Sequence, residues 1–327
     1  MRFAIIGAGR IGKIHGANIA ARKDCELRLV ADADAAAAKS LAEATGARVA
    51  EIDAIMAAPD IDAVAICAPT DMHADLIEKA ARAKKAAFCE KPVDLNADRI
   101  RQCLKVVNEA GAPLMIGFNR RFDPNFAALQ ARIAHGAVGA VEIVSITSRD
   151  PAPPPISYIA RSGGLYRDMM IHDFDMARFL LGEEPVALSA MGAALVDKEI
   201  GEAGDIDTAV VIMQTKSGKV AQISNSRRAT YGYDQRIEVH GAKGMVRAEN
   251  VHETTVQFAG AQGFSGDKVL NFFLERYASA YRDELAAFVK AVSSGVSPSP
   301  SGEDGLRAQL LADAADRSRR TGQGVTL

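Results

Sequence analysis

Short apolar runs alternate with amphipathic segments through the first third of the chain, and this alternation predicts strands and helices in turn. Five almost wholly apolar runs predict strands, at 3–6, 27–31, 63–67, 86–89 and 114–116. Alanine-rich segments with apolar residues at helical spacing lie between them, near 11–22, 34–45, 71–84 and 97–110. Apolar strands joined by helices are typical of a parallel sheet that is covered on both faces. Residues 1–118 therefore predict a doubly wound α/β domain.

The pattern changes after about residue 120, and from residue 186 strand-like runs follow one another without helices between them. A helix at 124–135, an extended run at 141–147 and a helix at 165–181 come first, and six further runs predict strands, at 186–195, 206–215, 219–229, 235–240, 244–248 and 254–258. Consecutive strands on such short connections must be antiparallel, because a parallel crossover needs about a dozen residues or more. Helices at 275–294 and 303–319 follow. We expect residues 119–327 to form an α+β domain on a mostly antiparallel open sheet.

Composition and charge narrow the class of protein. Lys and Arg number 39 and Asp and Glu 41, and this net charge of −2 excludes a chain whose main partner is nucleic acid. No apolar stretch is as long as a membrane span, which needs about 20 residues. The strand predicted directly after Met1 leaves no room for a signal peptide. The four cysteines lack CxxC or metal-ligand spacing, as expected in a reducing cytosol. We therefore expect a cytoplasmic protein with neither membrane nor nucleic-acid partners.

A glycine-rich segment, Gly7-Ala8-Gly9-Arg10-Ile11-Gly12, follows the first predicted strand and opens the first helix. In a dinucleotide-binding domain of the Rossmann type the three glycines permit the tight turn, the approach of a pyrophosphate and the packing of the helix on the sheet. Asp32 ends the second predicted strand, 20 residues after Gly12, where its carboxylate can accept from ribose hydroxyls and repel a 2′-phosphate. The segment thus favours an NAD site; the alternative is a glycine turn without a cofactor.

Two further segments follow predicted strands at the edge where ligands collect in such a sheet. Glu90-Lys91-Pro92 ends the strand at 86–89, and an ammonium group there can polarise a hydroxyl or carbonyl oxygen. A surface lysine that merely ends a strand is the alternative. Pro69 and Thr70, with His73 behind them, follow the strand at 63–67, where loop contacts to a cofactor are expected.

The segment from Asp168 to Asp175 carries the remaining candidate chemistry. On one continuous helix Asp168 and His172 lie at i and i+4, so the carboxylate would orient the imidazole and support its protonated form. An ordinary surface pair is one alternative. A metal site of Asp168, His172 and Asp175 is another, although no other His or Cys shows ligand spacing.

Three motifs together resemble the Gfo/Idh/MocA oxidoreductases, and the resemblance extends over essentially the whole chain. They are the glycine segment with His15, Glu90-Lys91-Pro92, and Gly163-Gly164 followed by Asp168 and His172-Asp173. Arg149-Asp150-Pro151, the stretch from Asp168 to Arg178 and the run 231–236 resemble the members that oxidise inositols.

The resemblance implies a role for each matching residue. Lys91 corresponds to the catalytic lysine, His172 to the general base and Asp168 to its partner. Substrate contacts are implied for Lys91, Asn119, Asp150, Asp168, His172 and Tyr231. Cofactor contacts are implied for Gly7, Gly9, Arg10, Ile11, Gly12, Asp32, Pro69, Thr70, His73 and Glu90, and no metal is implied.

The implied activity is NAD-dependent oxidation of a cyclic polyol, above all of myo-inositol to 2-keto-myo-inositol, by a homotetramer built from sheet-mediated dimers. His172 would remove a hydroxyl proton while Lys91 hydrogen-bonds the same oxygen, and a hydride would pass from that carbon to NAD. Oxidation or reduction of another sugar, a pyranose or an anhydrosugar, is the alternative within enzymes. A regulator that senses NAD without chemistry and a metal-dependent hydrolase are alternatives from other classes.

Overall fold

The computed structural model describes all 327 residues, which group into two compact units. The first unit contains residues Met1–Asn119 and Ala280–Gln309, and the second contains Arg120–Ser279 and Leu310–Leu327. The first change of unit lies within one residue of the boundary expected at 118/119. The segment 280–309 joins the first unit, which a division at one boundary does not anticipate. The assignment of cofactor and substrate binding to residues 1–118 and 119–327 stays a prediction.

The first unit is built on a six-stranded parallel sheet with the strand order β3-β2-β1-β4-β5-β6. Its strands are β1 (Arg2–Ile6), β2 (Glu26–Ala31), β3 (Arg48–Val49), β4 (Ala63–Ile66), β5 (Ala86–Glu90) and β6 (Leu114–Gly117). The helices between them are α1 (Arg10–Ala20), α2 (Ala35–Thr45), α3 (Ile52–Ala57), α4 (Thr70–Arg82) and α5 (Ala97–Ala110). The doubly wound parallel sheet is confirmed, and its strand order places a switch point between β1 and β4, where ligands collect. Only β3 and α3, which are too short to show periodicity, were not predicted.

Local sequence explains where these helices begin and end. Asp34 caps α2 by accepting from the backbone N–H groups of Ala36 and Ala37, and Asn96 caps α5 in the same way. Both helices end at a glycine in the left-handed conformation, Gly46 and Gly111. The loops at these helix ends therefore have defined conformations.

The second unit is built on a seven-stranded sheet with the order β12-β11-β7-β10-β9-β8-β15. Its strands are β7 (Val141–Arg149), β8 (Pro185–Ala193), β9 (Thr208–Thr215), β10 (Val220–Ser226), β11 (Asp234–Gly241), β12 (Gly244–Ala248) and β15 (Val325–Thr326). All neighbours are antiparallel except β7 and β10, which run parallel, so the mostly antiparallel sheet is confirmed. The strand expected at 254–258 is wrong for residues 254–256, which form no strand, and residues 257–258 belong to a separate, exposed hairpin of β13 (Gln257–Gly260) and β14 (Gly263–Gly266).

One face of the seven-stranded sheet carries exposed apolar side chains. Met191 on β8 pairs in register with Val210 on β9, and these side chains are 81% and 48% exposed. Ile212, two residues further along the same strand, is 52% exposed. Because alternate residues of a strand point to one face, the three side chains form a single apolar patch.

The remaining helices include one important difference from the sequence prediction. They are a 3-10 helix (Asn119–Phe122), α6 (Pro124–Ala134), α7 (Ile156–Ser162), α8 (Leu165–Asp168), α9 (Ile171–Leu181), α10 (Lys198–Glu202), α11 (Phe273–Arg276), α12 (Ala278–Ser293) and α13 (Gly302–Thr321). The single helix predicted at 165–181 is wrong, because the backbone breaks between α8 and α9. The backbone N–H groups of Met169 and Met170 both donate to the Leu165 carbonyl, and those of Asp173 and Phe174 both donate to the Met170 carbonyl, so the regular i→i−4 pattern is interrupted between the two helices. Across the whole chain, no helix has the length and apolar character that a membrane crossing requires.

Candidate active site

The turn from β1 to α1 contains three glycines that differ in their backbone conformation and in the space around them. Gly7 has φ +102°, and a Cβ there would lie 2.4 Å from the backbone carbonyl of Cys67. A Cβ on Gly12 would lie 1.9 Å from the Gly7 carbonyl oxygen. Gly9 has the ordinary φ of −69°, and nothing lies within 4 Å of the position of its Cβ. The fold therefore requires Gly7 and Gly12, whereas Gly9 leaves room for a group that approaches the loop from outside.

The same loop presents donors and an acceptor suited to a dinucleotide. Gly9 is the N-cap of α1 and supplies no side-chain acceptor to the first turn, which contains Arg10 and Ile11. The backbone N–H groups and positive partial charge of such a helix start suit phosphate. Asp32, just beyond β2, accepts from the backbone N–H of Ala8 at 2.5 Å and from that of Asp34 at 2.7 Å. A carboxylate has about four lone-pair sites, so Asp32 retains acceptors for ribose hydroxyls.

These residues fit NAD, and the contacts expected between the pyrophosphate and the first turn of α1, and between the adenosine ribose and Asp32, stay predictions. The open space at Gly9 is what a close approach of phosphate requires. The negative charge of Asp32 disfavours a 2′-phosphate.

The loops after β4 and β5 are joined by a buried histidine. His73, which is 2% exposed, has Nδ1 at 2.7 Å from the carbonyl oxygen of Pro92 and Nε2 at 2.7 Å from that of Ala68. Burial lowers the pKa of His73, because removal from water disfavours the imidazolium form. Pro69 and Thr70 begin α4 beside this contact. The His73 ring thus lies between the two loops, and in its neutral form one of its nitrogens donates to a loop carbonyl. Its expected contact with the cofactor stays a prediction.

Glu90 and Lys91 lie at the carboxyl end of β5, which is the edge where the ligands of such a sheet bind. The Lys91–Pro92 peptide bond is cis. The Glu90 carboxylate contacts His15 Nε2 on α1 at 2.7 Å. Lys91 is partly exposed and directly follows Glu90, whose side chain is held by its contact with His15.

In the second unit, a cluster of charged side chains surrounds Asp168. Its carboxylate accepts from the Tyr158 hydroxyl at 2.8 Å and lies 3.4 and 3.5 Å from two guanidinium nitrogens of Arg227. Arg227 is 1% exposed, so its charge acts through a medium with little water. Asp150, which follows β7, belongs to the same cluster. Burial raises the pKa of Asp150 to about 6; Arg227 opposes this rise and the Asp168 charge adds to it.

His172 begins α9 and is partly buried. Asp168 ends α8 and His172 lies on α9, so the two do not share the single continuous helix that was expected, and their pairing stays a prediction. Both oxygens of Asp175 accept from Arg121, at 2.5 and 2.7 Å, so this carboxylate belongs to an ion pair. The neighbouring Arg120 pairs with Asp173, and both ion pairs are buried inside the unit.

Two predicted substrate residues lie in different settings. Asn119, at the end of the first unit, is buried at 3% exposure and begins the 3-10 helix. Tyr231 is half-exposed; its hydroxyl donates to Asp234 at 2.6 Å and accepts from Arg149 at 3.1 Å. The roles of both in substrate binding stay predictions.

Sequence reasoning missed Arg227, Tyr158 and Glu284. Arg227 follows β10, and its position at a strand end was the one available signal. Tyr158 lies on a short helix after the proline-rich loop. Glu284 lies three residues after Tyr281 and four before Phe288, which is the spacing of the buried face of α12, so helical periodicity was an available signal for its burial. Their importance depends on tertiary contacts.

Comparisons with known proteins agree with this geometry. Residues 1–118 match an oxidoreductase family with an NAD-binding Rossmann fold, and residues 126–247 match the GFO/IDH/MocA C-terminal domain. The inositol 2-dehydrogenase of Rhizobium meliloti is 59% identical over 318 residues, which cover 97% of this chain and 96% of that protein. The myo-inositol 2-dehydrogenase of Thermotoga maritima is 47% identical over 329 residues, covering 100% and 98%.

A solved structure gives the same result. The scyllo-inositol dehydrogenase of Lactobacillus casei, crystallised with NAD(H) and scyllo-inositol, matches with a TM-score of 0.93 and 29% identity, covering 100% of this chain and 98% of that one. Family, fold and nucleotide loop therefore agree. The chain belongs to the Gfo/Idh/MocA oxidoreductases, enzymes whose first domain is an NAD-binding Rossmann fold.

Proposed function

We propose that this protein is an NAD-dependent inositol 2-dehydrogenase that oxidises myo-inositol to 2-keto-myo-inositol. The observation that carries the proposal is the charged cluster of Asp150, Asp168 and Arg227, in a chain whose relatives at 59% and 47% identity are inositol 2-dehydrogenases. A cyclitol presents only hydroxyl groups, and carboxylates held in place are suitable acceptors for them. With an aromatic content of 6% and no Trp, recognition by hydrogen bonds is more suitable than stacking.

The proposed chemistry assigns one task to each residue. His172 acts as the general base that takes the proton from the reacting hydroxyl. Lys91 donates a hydrogen bond to the same oxygen and stabilises the negative charge that develops on it. Asp168 is held by Tyr158 and Arg227, so it can accept from a substrate hydroxyl without reorganising. Bound NAD supplies the two-electron acceptor.

A substrate panel tests the proposal. The protein is incubated with NAD or NADP and with myo-inositol, scyllo-inositol, glucose or an anhydrosugar, and the absorbance of the reduced nicotinamide is followed. Turnover of myo-inositol with NAD at the highest kcat/KM is expected. A higher value for a pyranose would identify a different sugar dehydrogenase, and no turnover with any member would favour an NAD-sensing regulator.

Replacement of the two central residues tests their roles. Lys91→Met and His172→Asn should each lower kcat by at least about a hundredfold, which is within the usual contribution of general acid–base groups. NAD affinity, measured by calorimetry, should remain near that of the unmodified protein. A His172→Asn variant with a near-normal rate would contradict the assignment of the base.

The proposal includes a homotetramer in the cytoplasm that serves inositol catabolism. The support for assembly is the exposed apolar patch of Met191, Val210 and Ile212, since large apolar side chains grouped on one surface are typical of protein interfaces. Ile212→Glu should reduce the mass measured by light scattering, whereas Glu303→Gln, at an exposed helix position, should not. A monomer before any substitution would contradict this part.

A further inference from the structure

The first unit contains a buried group of titratable side chains to which the proposed reaction assigns no role. His15 on α1, Glu90 at the end of β5 and Glu284 on α12 bring their side-chain N and O atoms within 4.8 Å of one another. His15 Nε2 lies 2.7 Å from Glu90 Oε1 and 4.0 Å from Glu284 Oε1. The side chains of His15 and Glu284 are 1% and 0% exposed. Three elements that are distant in sequence therefore converge on one point.

The hydrogen bonding of this group is incomplete. Both carboxyl oxygens of Glu284 and the Nδ1 atom of His15 are buried without a hydrogen-bond partner. The rings of Phe88 and Tyr281 lie 4.8 and 5.7 Å from the His15 ring, so the surroundings are largely apolar. A buried polar atom without a partner is costly, and a buried carboxylate without a cation is more costly still.

Charge makes an ionised Glu284 unfavourable. Burial raises the pKa of Glu284 well above its usual range, and the negative charge of Glu90 adds to this rise. The other titratable neighbours of Glu90 are the thiols of Cys67 and Cys89, whose pKa values burial raises, and the imidazole of His73, whose pKa burial lowers. Burial therefore favours the neutral form of each of these three neighbours, and none of them supplies a cation to the two carboxyls. A proton on Glu284 removes the repulsion between the carboxyls and supplies an O–H donor.

The distances favour a proton over a metal ion at this point. Two ligands that each lie about 2.1 Å from a tetrahedral zinc ion are about 3.4 Å apart. The 2.7 Å between His15 and Glu90 is shorter and is typical of a hydrogen bond to a charged group.

The backbone of β6 lies directly against the Glu90 side chain. Gly117 on β6 pairs in register with Glu90, and a Cβ on Gly117 would lie 3.1 Å from the Glu90 carboxyl carbon. The Glu90 side chain is therefore confined between β6 and the two other members of the group.

We propose that His15, Glu90 and Glu284 are positioning residues that share one additional proton and thereby hold the end of β5, next to Lys91. In the proposed arrangement Glu284 donates to Glu90, and His15 Nε2 donates to the same carboxylate. The three side chains together then carry a single negative charge, and Glu90 directly precedes Lys91 in the sequence. The consequence for catalysis rests on the proposed function, in which Lys91 acts on the substrate oxygen.

Two substitutions separate the proton from the shape of the side chain. Glu284→Gln keeps a neutral donor of nearly the same volume, whereas Glu284→Leu keeps the volume but removes the donor. Glu303→Gln, on an exposed turn of α13, is the matched control. The first measurement is infrared spectroscopy of the nucleotide-free protein at pH 7, which detects the carbonyl stretch of a protonated carboxyl group. The band is expected in the unmodified protein and in Glu303→Gln, and its loss is expected in Glu284→Gln.

Hydrogen exchange and kinetics test the positioning role. Glu284→Leu should increase amide exchange at residues 89–93 and lower kcat on the best substrate of the panel by about ten- to a hundredfold, with little change in KM for that substrate. Glu284→Gln should restore both values to near those of the unmodified protein. Unaltered exchange in Glu284→Leu, or a loss of thermal stability without a change in kcat, would overturn the positioning role.

Two other results would overturn the shared proton. One is the absence of the infrared band in the unmodified protein. The other is stoichiometric binding of Zn²⁺ or Mn²⁺, measured by calorimetry with the metal alone, that Glu284→Gln abolishes. The infrared and exchange measurements need no substrate, so they remain decisive if the panel shows that the substrate is not an inositol.

Discussion

Replacement of Gly9 by alanine should separate nucleotide binding from folding. Gly9 has φ −69° and ψ −163°, a conformation open to any residue, and nothing lies within 4 Å of the added methyl group. The free energy of unfolding without nucleotide should therefore fall by about 1 kcal/mol at most, which is the order of cost of alanine at a helix N-cap. Gly7→Ala differs, since it combines φ +102° with a Cβ 2.4 Å from the Cys67 carbonyl, and it should destabilise the protein by several times as much.

Gly9→Ala should weaken NAD binding much more than it lowers the stability of the protein. A methyl group at this position stands where the pyrophosphate approaches the first turn of α1, and a lost hydrogen bond to a charged group costs about 1.5–3 kcal/mol. NAD affinity should therefore fall about ten- to a hundredfold. Gly46→Ala is the control: it adds a methyl in open space at a left-handed helix end, where it should cost about 1 kcal/mol of stability and leave NAD affinity unchanged.

Urea unfolding of the nucleotide-free protein and calorimetric titration with NAD measure the two quantities. NAD affinity within twofold of the unmodified protein in Gly9→Ala would refute the placement of the pyrophosphate. An equal loss of stability in Gly9→Ala and Gly7→Ala would refute the structural distinction between the two glycines.

Three further substitutions test the charges of the site. Asp32→Asn should lower the preference for NAD over NADP, measured as a ratio of kcat/KM values, because it removes the charge that repels a 2′-phosphate; a native preference for NADP would refute this. The pKa of Asp150 is raised from 3.8 to about 6 in the folded state, so the native protein holds an extra proton and its unfolding free energy should fall as pH rises from about 4 to 6. Asp150→Asn should reduce the pH dependence of the unfolding free energy measured with urea. An unchanged slope against pH would contradict the raised pKa of Asp150. Arg227→Met removes a buried guanidinium that lies 3.4 Å from Asp168 and should cost about 3–5 kcal/mol, whereas Arg228→Met at the exposed neighbour should cost little.

Much of the first unit could be predicted because its information is local. The apolar runs at 3–6 and 86–89 became β1 and β5 with bounds that differ by one residue at most. The glycine loop was predictable for the same reason, since the spacing of Gly7, Gly9 and Gly12 reflects steric demands within one turn of chain. Lys91 was found because a strand end in a parallel sheet is also the ligand edge.

The second unit was less predictable because its important features join distant residues. The pattern at 165–181 has the composition of one helix, and only the backbone hydrogen bonds of Met169 to Asp173 show where it breaks. Arg120 and Arg121 resemble solvated residues until Asp173 and Asp175 are brought against them.

The sequence by itself determined the class of sheet, the nucleotide loop and the residue types available for chemistry. Periodicity and backbone sterics act over a few residues, so they can be read along the chain. Tertiary structure alone decided which charges are buried and with which partners: Arg227 beside Asp168, and Glu284 near Glu90 and His15. The energy of a charge depends on its distance from water and from other charges, and these distances exist only after distant segments have packed together.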